Sequence, residues 1–139
     1  MEKSITIEAD IKGNVQDVWQ RYTEPAHIVK WNFASSDWHC PDARNDLRVG
    51  GEYFARMEAK DGSGGFDFTA VYDEVIPMSR IAYTMADGRR VITSFESVGD
   101  KVRLTTVFEA EDENPVDMQK AGWQAILNQF KQYTEHRVK

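Results

Sequence analysis

The sequence has few of the features that would assign it to a secreted or membrane-spanning class. Cys40 is the one cysteine in 139 residues, so no internal disulfide can form and nothing calls for an oxidising compartment. No run approaches 18 apolar residues, and the N-terminus lacks the apolar core of a signal peptide. We therefore expect a cytoplasmic protein without a membrane span.

Positive charge is also scarce. The formal net charge is -6, and the basic residues are scattered, with no run longer than the pair Arg89-Arg90. A nucleic-acid-binding protein normally carries a basic patch or stripe, so we expect no nucleic-acid partner. The hydrophobic fraction of 41% and the charged fraction of 29% are typical of a globular protein. With no repeat or linker, residues 1–139 are expected to form one domain.

Alternating apolar residues predict a sheet. In the first strand Ile5, Ile7, Ala9 and Ile11 share one face, as in a half-buried strand. The segment from Asn32 to Arg48 has no such pattern and is expected to be irregular, apart from a short strand before Gly50. In the strand from Phe66 to Ile76 both alternating sets are apolar, which leaves its inward face undecided. Further strands are predicted over 52–59, 81–85, 91–95 and 102–108.

Helical spacing predicts two short helices after the first strand and one long helix at the C-terminus. Asn14 is a suitable N-cap for the first helix, and Pro25 suits the first turn of the second. The long helix follows Asn114-Pro115 and carries one apolar stripe of Trp123, Ile126, Leu127, Phe130 and Tyr133. The predicted order is β-α-α-β-β-β-β-β-β-α, an α+β fold in which the long helix covers a twisted antiparallel sheet. The space between sheet and helix can be filled by side chains or by a ligand.

Five segments carry a resemblance to a known family. They are HIVKW (His27 to Trp31), DLRVGGEY (Asp46 to Tyr53), DG (Asp61-Gly62), DEVIPMSRIAYT (Asp73 to Thr84) and AGWQAILNQFKQY (Ala121 to Tyr133). In this order they resemble the activator-of-heat-shock-ATPase homologue-like family, which belongs to the START-like, helix-grip superfamily also called SRPBCC.

The resemblance implies a fold and three functions. The implied fold is a curved antiparallel sheet of six to seven strands that grips the C-terminal helix and leaves a cavity. Members of the superfamily bind lipids, hormones or other apolar molecules, and some are cyclases or hydrolases. The family takes its name from a cochaperone that stimulates a heat-shock ATPase, which implies such a chaperone as a partner and a role in the stress response. A full cochaperone carries a further, preceding domain, whereas this chain begins directly at the first strand, so we expect ligand binding first.

The adjacent pair His39-Cys40 is the first catalytic candidate. Neighbouring residues on a strand point to opposite faces, so their adjacency argues against a catalytic dyad, and a lone cysteine is commonly buried. The three histidines, His27, His39 and His136, lie on different elements without ligand spacing, so we expect no metal and no cofactor. The pair Gly50-Gly51 lacks the rest of a phosphate-binding motif and more often marks a bulge or bend.

The aromatic and sulfur-containing residues are the candidates for a ligand site. Met57 and Met85 can adapt to an irregular apolar ligand, and Gly122 within the long helix indicates close approach or room beside it. Tyr83, Thr93 and Thr106 could supply the polar contacts. The full candidate set is Trp31, Trp38, Tyr53, Met57, Tyr83, Met85, Thr93, Phe95, Thr106, Trp123, Leu127 and Phe130. For any one of these residues an ordinary packed core is the favoured explanation, and only the group as a whole favours a cavity.

Most carboxylates fall on outward positions or in turns, and Glu74 with Arg80 is explained by a salt bridge at the rim. We therefore expect non-catalytic binding of a small hydrophobic or amphipathic ligand by a monomer or homodimer. The first alternative is a cochaperone-like interaction module. The second is a cyclase- or hydrolase-like enzyme, which requires a buried carboxylate, histidine or tyrosine cluster at the cavity floor.

Overall fold

A computed structural model describes residues 3–137 and contains one seven-stranded antiparallel sheet with three helices. The strands are β1 Ser4–Lys12, β2 Trp38–Asn45, β3 Glu52–Ala59, β4 Gly65–Ile76, β5 Arg80–Met85, β6 Arg90–Val98 and β7 Lys101–Glu109. The helices are α1 Val15–Thr23, α2 Pro25–Trp31 and α3 Val116–Arg137. The sheet order is β1-β7-β6-β5-β4-β3-β2, so the predicted element order and the helix-grip class are confirmed.

The first strand joins the sheet beside the last one. β1 pairs with β7 over its whole length, and the inward residues Ile5, Ile7 and Ile11 are buried. Asn14 then caps α1, because its side-chain oxygen accepts a hydrogen bond from the backbone N–H of Asp17 at 2.9 Å. Both short helices bury one face, and α3 packs on β1 with Leu127 and Phe130 buried. None of the helices within residues 3–137 is long and apolar enough to cross a membrane.

The segment from 32 to 48 supplies the strand that was expected before Gly50, and this strand spans residues 38–45. These residues form β2, an edge strand that pairs with β3. The alternation was hidden because the register shifts between His39 and Asp42, so that two successive inward residues, Cys40 and Ala43, are three apart. Pro41 lies inside this shift, where an edge strand tolerates the missing backbone donor.

A second register shift explains the ambiguous strand β4. Ala70 and Tyr72 belong to one of the two alternating sets of residues in β4, and both are buried. The register of β4 against β5 shifts between Tyr72 and Glu74. Beyond it, Val75 packs against the core from the other set. A bulge of this kind bends the strand and strengthens its twist, which suits a sheet that curves around a helix.

Candidate ligand-binding site

A cavity of about 240 Å³ lies between the concave face of the sheet and α3. Its wall is built from β1, β3, β4, β5 and β7 on one side and from α3 on the other, with α1 and the end of α2 closing one end. The volume corresponds to about eight molecules of liquid water and is slightly smaller than the ligand pockets of about 300 Å³ and above that proteins commonly form. The cavity therefore suits a small molecule.

Seven of the twelve candidate residues lie on the cavity wall. They come from five elements or their ends and are mostly aromatic or aliphatic: Trp31, Tyr53, Met57, Tyr83, Thr106, Trp123 and Leu127. Their contact with a ligand stays a prediction, but the fold does bring them around one space.

The other five candidates lie elsewhere. Phe95 packs against Trp19 and Tyr22, and Phe130 is fully buried with its ring edge-on to those of Tyr22 and Trp31. The remaining three lie behind the wall or beside it. Thr93 is buried and bonds to Thr106, Trp38 lies near the ring of Phe66 at the sheet edge, and Met85 borders a shallow depression formed by β3, β4 and β5.

Seven residues on the wall were not among the candidates: Ile7, Tyr22, Asn32, Phe66, Phe68, Ile126 and Arg89. Ile7, Tyr22 and Ile126 lie on the apolar faces from which β1, α1 and α3 were predicted. The same apolar spacing could therefore have identified them as candidates. Phe66 and Phe68 were obscured by the two apolar sets of β4. No pattern points to Asn32 or Arg89, because each is a single polar residue in a turn or at a helix end.

Two tyrosines dominate the polar part of the wall. The rings of Tyr53 and Tyr83 are nearly parallel, with centroids 5.8 Å apart. The Tyr53 hydroxyl accepts a hydrogen bond from Nδ2 of the buried Asn32 at 3.1 Å. The ring of Tyr83 meets Phe68 and Tyr72 edge-on. Both tyrosine rings are thus fixed by neighbouring aromatic rings.

Burial extends the protonated form of these tyrosines to a higher pH than usual. Loss of solvation raises the pKa of Tyr53 and of Tyr83 well above the ordinary value, and the neighbouring tyrosines raise both further. Burial also raises the pKa of Tyr22, although hydrogen bonding with Thr93 and Thr106 acts in the opposite direction. At neutral pH the three hydroxyls are therefore neutral groups that can donate a hydrogen bond.

Among residues 3–137, Arg89 is the one charged residue on the wall, and it lies in the turn between β5 and β6. Its Nε donates to a carboxylate oxygen of Asp87 at 2.8 Å, and its Nη1 donates to the backbone carbonyl of Glu109 at 3.1 Å. Although burial raises the pKa of the Asp87 carboxyl, its hydrogen bonds from Arg89 lower that pKa below the ordinary value. The guanidinium charge is therefore largely compensated within the protein.

The polar groups of the wall include hydroxyls, an amide and a guanidinium. A tyrosine cluster, which the enzyme alternative requires, does lie at the cavity. Among the described residues, however, no carboxylate, imidazole or thiol lines it. A tyrosine with a raised pKa can polarise an acceptor but is a poor base at neutral pH. The wall therefore offers hydrogen-bond donors in an apolar space, without a group suited to remove a proton.

The structure separates His39 and Cys40. Cys40 is buried, and loss of solvation raises the pKa of its thiol to about 11, although a backbone hydrogen bond from Asp42 acts in the opposite direction. The His39 side chain is 42% exposed and lies 3.6 Å from a Glu58 carboxylate on the neighbouring strand. A protonated thiol on one face and an imidazole on the other do not form a nucleophilic pair.

The pair Gly50-Gly51 has a backbone role. Gly50 has a φ of 84°, and a Cβ on Gly51 would lie 2.0 Å from the Asp46 carbonyl oxygen. The N–H of Gly50 donates to the Tyr72 carbonyl, and the Gly51 carbonyl accepts from the Tyr72 N–H. The glycines therefore extend the pairing of β3 with β4 up to the bulge. In residues 3–137 no group of three or more histidines, cysteines and carboxylates could hold a metal ion.

Comparison with known proteins agrees with this architecture. The family model described as "Activator of Hsp90 ATPase homolog 1-like protein" matches residues 12–135. The solution structure of an AHSA1-like protein from Aeromonas hydrophila is 42% identical, with 96% of this chain and 93% of that chain covered and a TM-score of 0.91. A protein from Cytophaga hutchinsonii is 47% identical, with coverage of 97% and 94% and a TM-score of 0.83.

More distant structures share the fold alone. A protein from Chromobacterium violaceum is 24% identical, with 96% of this chain and 98% of that chain covered and a TM-score of 0.85. A comparison with curated proteins gives no match. Because the family model spans most of the chain and the Aeromonas structure follows it almost from end to end, this protein is a member of the Activator of Hsp90 ATPase homolog 1-like family.

Proposed function

We propose that the protein binds a small hydrophobic or amphipathic molecule in the cavity between the sheet and α3, without catalysing a reaction. The cavity itself is the observation that carries this proposal. Its wall is largely aromatic and aliphatic, and its few polar groups converge from different elements. Small-molecule sites in proteins commonly have this composition.

The contacts of the wall residues support a preformed site. Trp123 stacks on Phe108 with ring centroids 4.0 Å apart, which fixes one side of the cavity from α3. Trp31 is fixed on the opposite side, since its indole N–H donates to the Arg21 carbonyl at 2.9 Å. Side chains held in this way lose little further freedom when a ligand binds, which favours affinity.

Native mass spectrometry tests the proposal directly. The protein is purified without denaturant from its own host, and any bound molecule is extracted into organic solvent. We expect a reproducible additional mass that is lost in Met57→Trp, because the larger ring fills the cavity. Met118→Trp is the matched control: Met118 is 62% exposed on α3, so the same change there should leave binding intact.

Uptake of a neutral apolar fluorescent dye extends this test to a ligand lost during purification. Dye binding that is abolished in Met57→Trp and retained in Met118→Trp supports the proposal. The proposal fails if neither a bound molecule nor dye uptake is found, or if Met57→Trp binds as the wild type does.

A second candidate function follows from the family description. We infer that a cochaperone-like module would bind a heat-shock ATPase through its outer surface and would accelerate ATP hydrolysis. The measurement is the hydrolysis rate of Hsp90 from the same organism, with and without this protein. An unchanged rate at saturating protein contradicts this function, and Met57→Trp should leave any stimulation intact because Met57 faces the cavity.

A further inference from the structure

We propose that the bound molecule carries one neutral carbonyl oxygen, and that the hydroxyl of Tyr83 donates a hydrogen bond to it. The inference rests on the proposed ligand-binding function and names the chemical class of the ligand: a small, mostly apolar carbonyl compound. It also makes Tyr83 the residue that selects this class from hydrocarbons of the same shape.

The other polar groups of the cavity already have partners within the protein. Nδ2 of Asn32 donates to the Tyr53 hydroxyl. The hydroxyls of Thr106 and Thr93 bond to each other at 3.0 Å, and Tyr22 lies beside them. Each of these contacts would be maintained with or without a ligand.

Tyr83 differs from these groups. Its side chain is only 8% exposed and lines the cavity, and within residues 3–137 its hydroxyl makes no hydrogen bond; the oxygen is not among the buried unpaired atoms, so it borders the open space of the cavity. A phenol hydroxyl that borders a cavity and has no partner in the protein is free to donate to a bound molecule. A ligand oxygen that accepts from Tyr83 supplies this partner, whereas a hydrocarbon leaves the hydroxyl unpaired. The contact is expected to increase affinity roughly three- to tenfold.

A neutral acceptor suits this position better than an anion. A carboxylate would lose its hydration beside aromatic rings and would need a free cation to compensate. Arg89 is the charged residue on the wall, and it already pairs with the Asp87 carboxylate. A ketone or similar carbonyl compound accepts a hydrogen bond without this cost.

The shape of the tyrosine pair also favours a carbonyl. The parallel rings of Tyr53 and Tyr83 place two phenol groups along one side of the cavity. The Tyr53 hydroxyl accepts from Asn32 and therefore keeps its own proton to donate. A carbonyl oxygen accepts from the Tyr83 hydroxyl, while the apolar body of the molecule lies against the rings.

Three probes of one shape test the inference: methyl naphthyl ketone, isopropenylnaphthalene and naphthoate, all substituted at the same ring position. The dissociation constants are measured by titration for the wild type, for Tyr83→Phe and for Tyr72→Phe. The second variant is the matched control, because Tyr72 is equally buried but its hydroxyl donates to Asn45 and lies outside the cavity wall.

We expect the wild type to bind the ketone roughly three- to tenfold more tightly than the hydrocarbon. Tyr83→Phe should remove this preference while still binding both probes, and Tyr72→Phe should keep it. Equal binding of ketone and hydrocarbon by the wild type overturns the inference but leaves the proposed function standing. A preference for the ketone that survives in Tyr83→Phe has the same two consequences. Tightest binding of naphthoate overturns it in favour of an anionic ligand. Binding of none of the three contradicts both proposals for molecules of this size.

Discussion

The rings of Tyr53 and Tyr83 face each other at 5.8 Å with an angle of 16° between their planes, although a whole strand separates them. Strands two apart in a flat sheet lie about 9–10 Å from each other, so side chains on them do not normally stack. The curvature of the sheet brings the two rings together across β4. The same curvature leaves the space that the helix does not fill.

The hydroxyls of Tyr72 and Tyr83 should contribute differently to stability. Tyr72→Phe removes a 2.7 Å hydrogen bond to Asn45 and should lower the free energy of unfolding by about 1–2 kcal/mol. Tyr83→Phe removes a hydroxyl without a hydrogen-bond partner in the described chain, so that free energy should change by less than about 0.5 kcal/mol or should rise. Denaturant unfolding in the absence of ligand measures both values. A larger loss in Tyr83→Phe than in Tyr72→Phe would show that Tyr83 is paired in the free protein.

Sequence patterns predicted the fold because the apolar alternation is regular in most strands. β3, β6 and β7 bury the residues whose alternation predicted them, and the stripe on α3 packs as expected. The pattern failed where a bulge changes the inward set, as in β2 and β4. A bulge adds one residue to a strand without a reliable residue signature, so its position is set by the pairing and not by local composition.

The site was less accessible to sequence reasoning. Apolar residues that face a cavity and those that face other side chains share the same alternation, so Phe130 and Trp123 could not be distinguished by pattern. Asn32 and Arg89 reach the wall only because the sheet and the helices bring distant segments together. Whether a residue lines this cavity depends on its position in the folded chain and not on its type.

Alkaline pH should unfold the protein steeply. Burial raises the pKa of Tyr53, Tyr72 and Tyr83, whereas a tyrosine in the unfolded chain titrates near about pH 10. Above that pH the unfolded state loses protons that the folded state retains, so stability is complete below about pH 10 and falls as the pH rises towards the folded pKa values. These three groups together should remove about 4 kcal/mol per pH unit in this range, and Tyr22, whose pKa burial also raises, adds to this slope.

Circular dichroism and the ultraviolet absorbance of tyrosinate measure this transition together. The absorbance of the three buried tyrosines should rise in one step with the loss of secondary structure. Gradual ionisation of all the tyrosines near pH 10 in a folded protein would contradict their burial.

Substitution of two methionines by tryptophan distinguishes a cavity position from a packed position. Met57 lines the cavity, so Met57→Trp should be accommodated with a loss of less than about 1 kcal/mol in the free energy of unfolding. Met85 is equally buried but does not lie on this wall, and Met85→Trp should lower that free energy by about 1–3 kcal/mol through overpacking. Chemical denaturation of the two variants gives the comparison. Equal losses would indicate that the cavity is not available to a side chain.

Gly122 and Gly51 should respond in opposite directions to alanine. A Cβ on Gly122 would meet no atom within 4 Å, so the helix gains propensity without a clash, and Gly122→Ala should raise the free energy of unfolding by about 0.5–1 kcal/mol. A Cβ on Gly51 would lie 2.0 Å from the backbone oxygen of Asp46, and Gly51→Ala should be clearly destabilising because this turn anchors β3 beside the bulge of β4. Thermal unfolding of both variants checks the signs. A destabilised Gly122→Ala would show that α3 approaches a neighbouring element more closely there than the structure indicates, and that the glycine is required for packing.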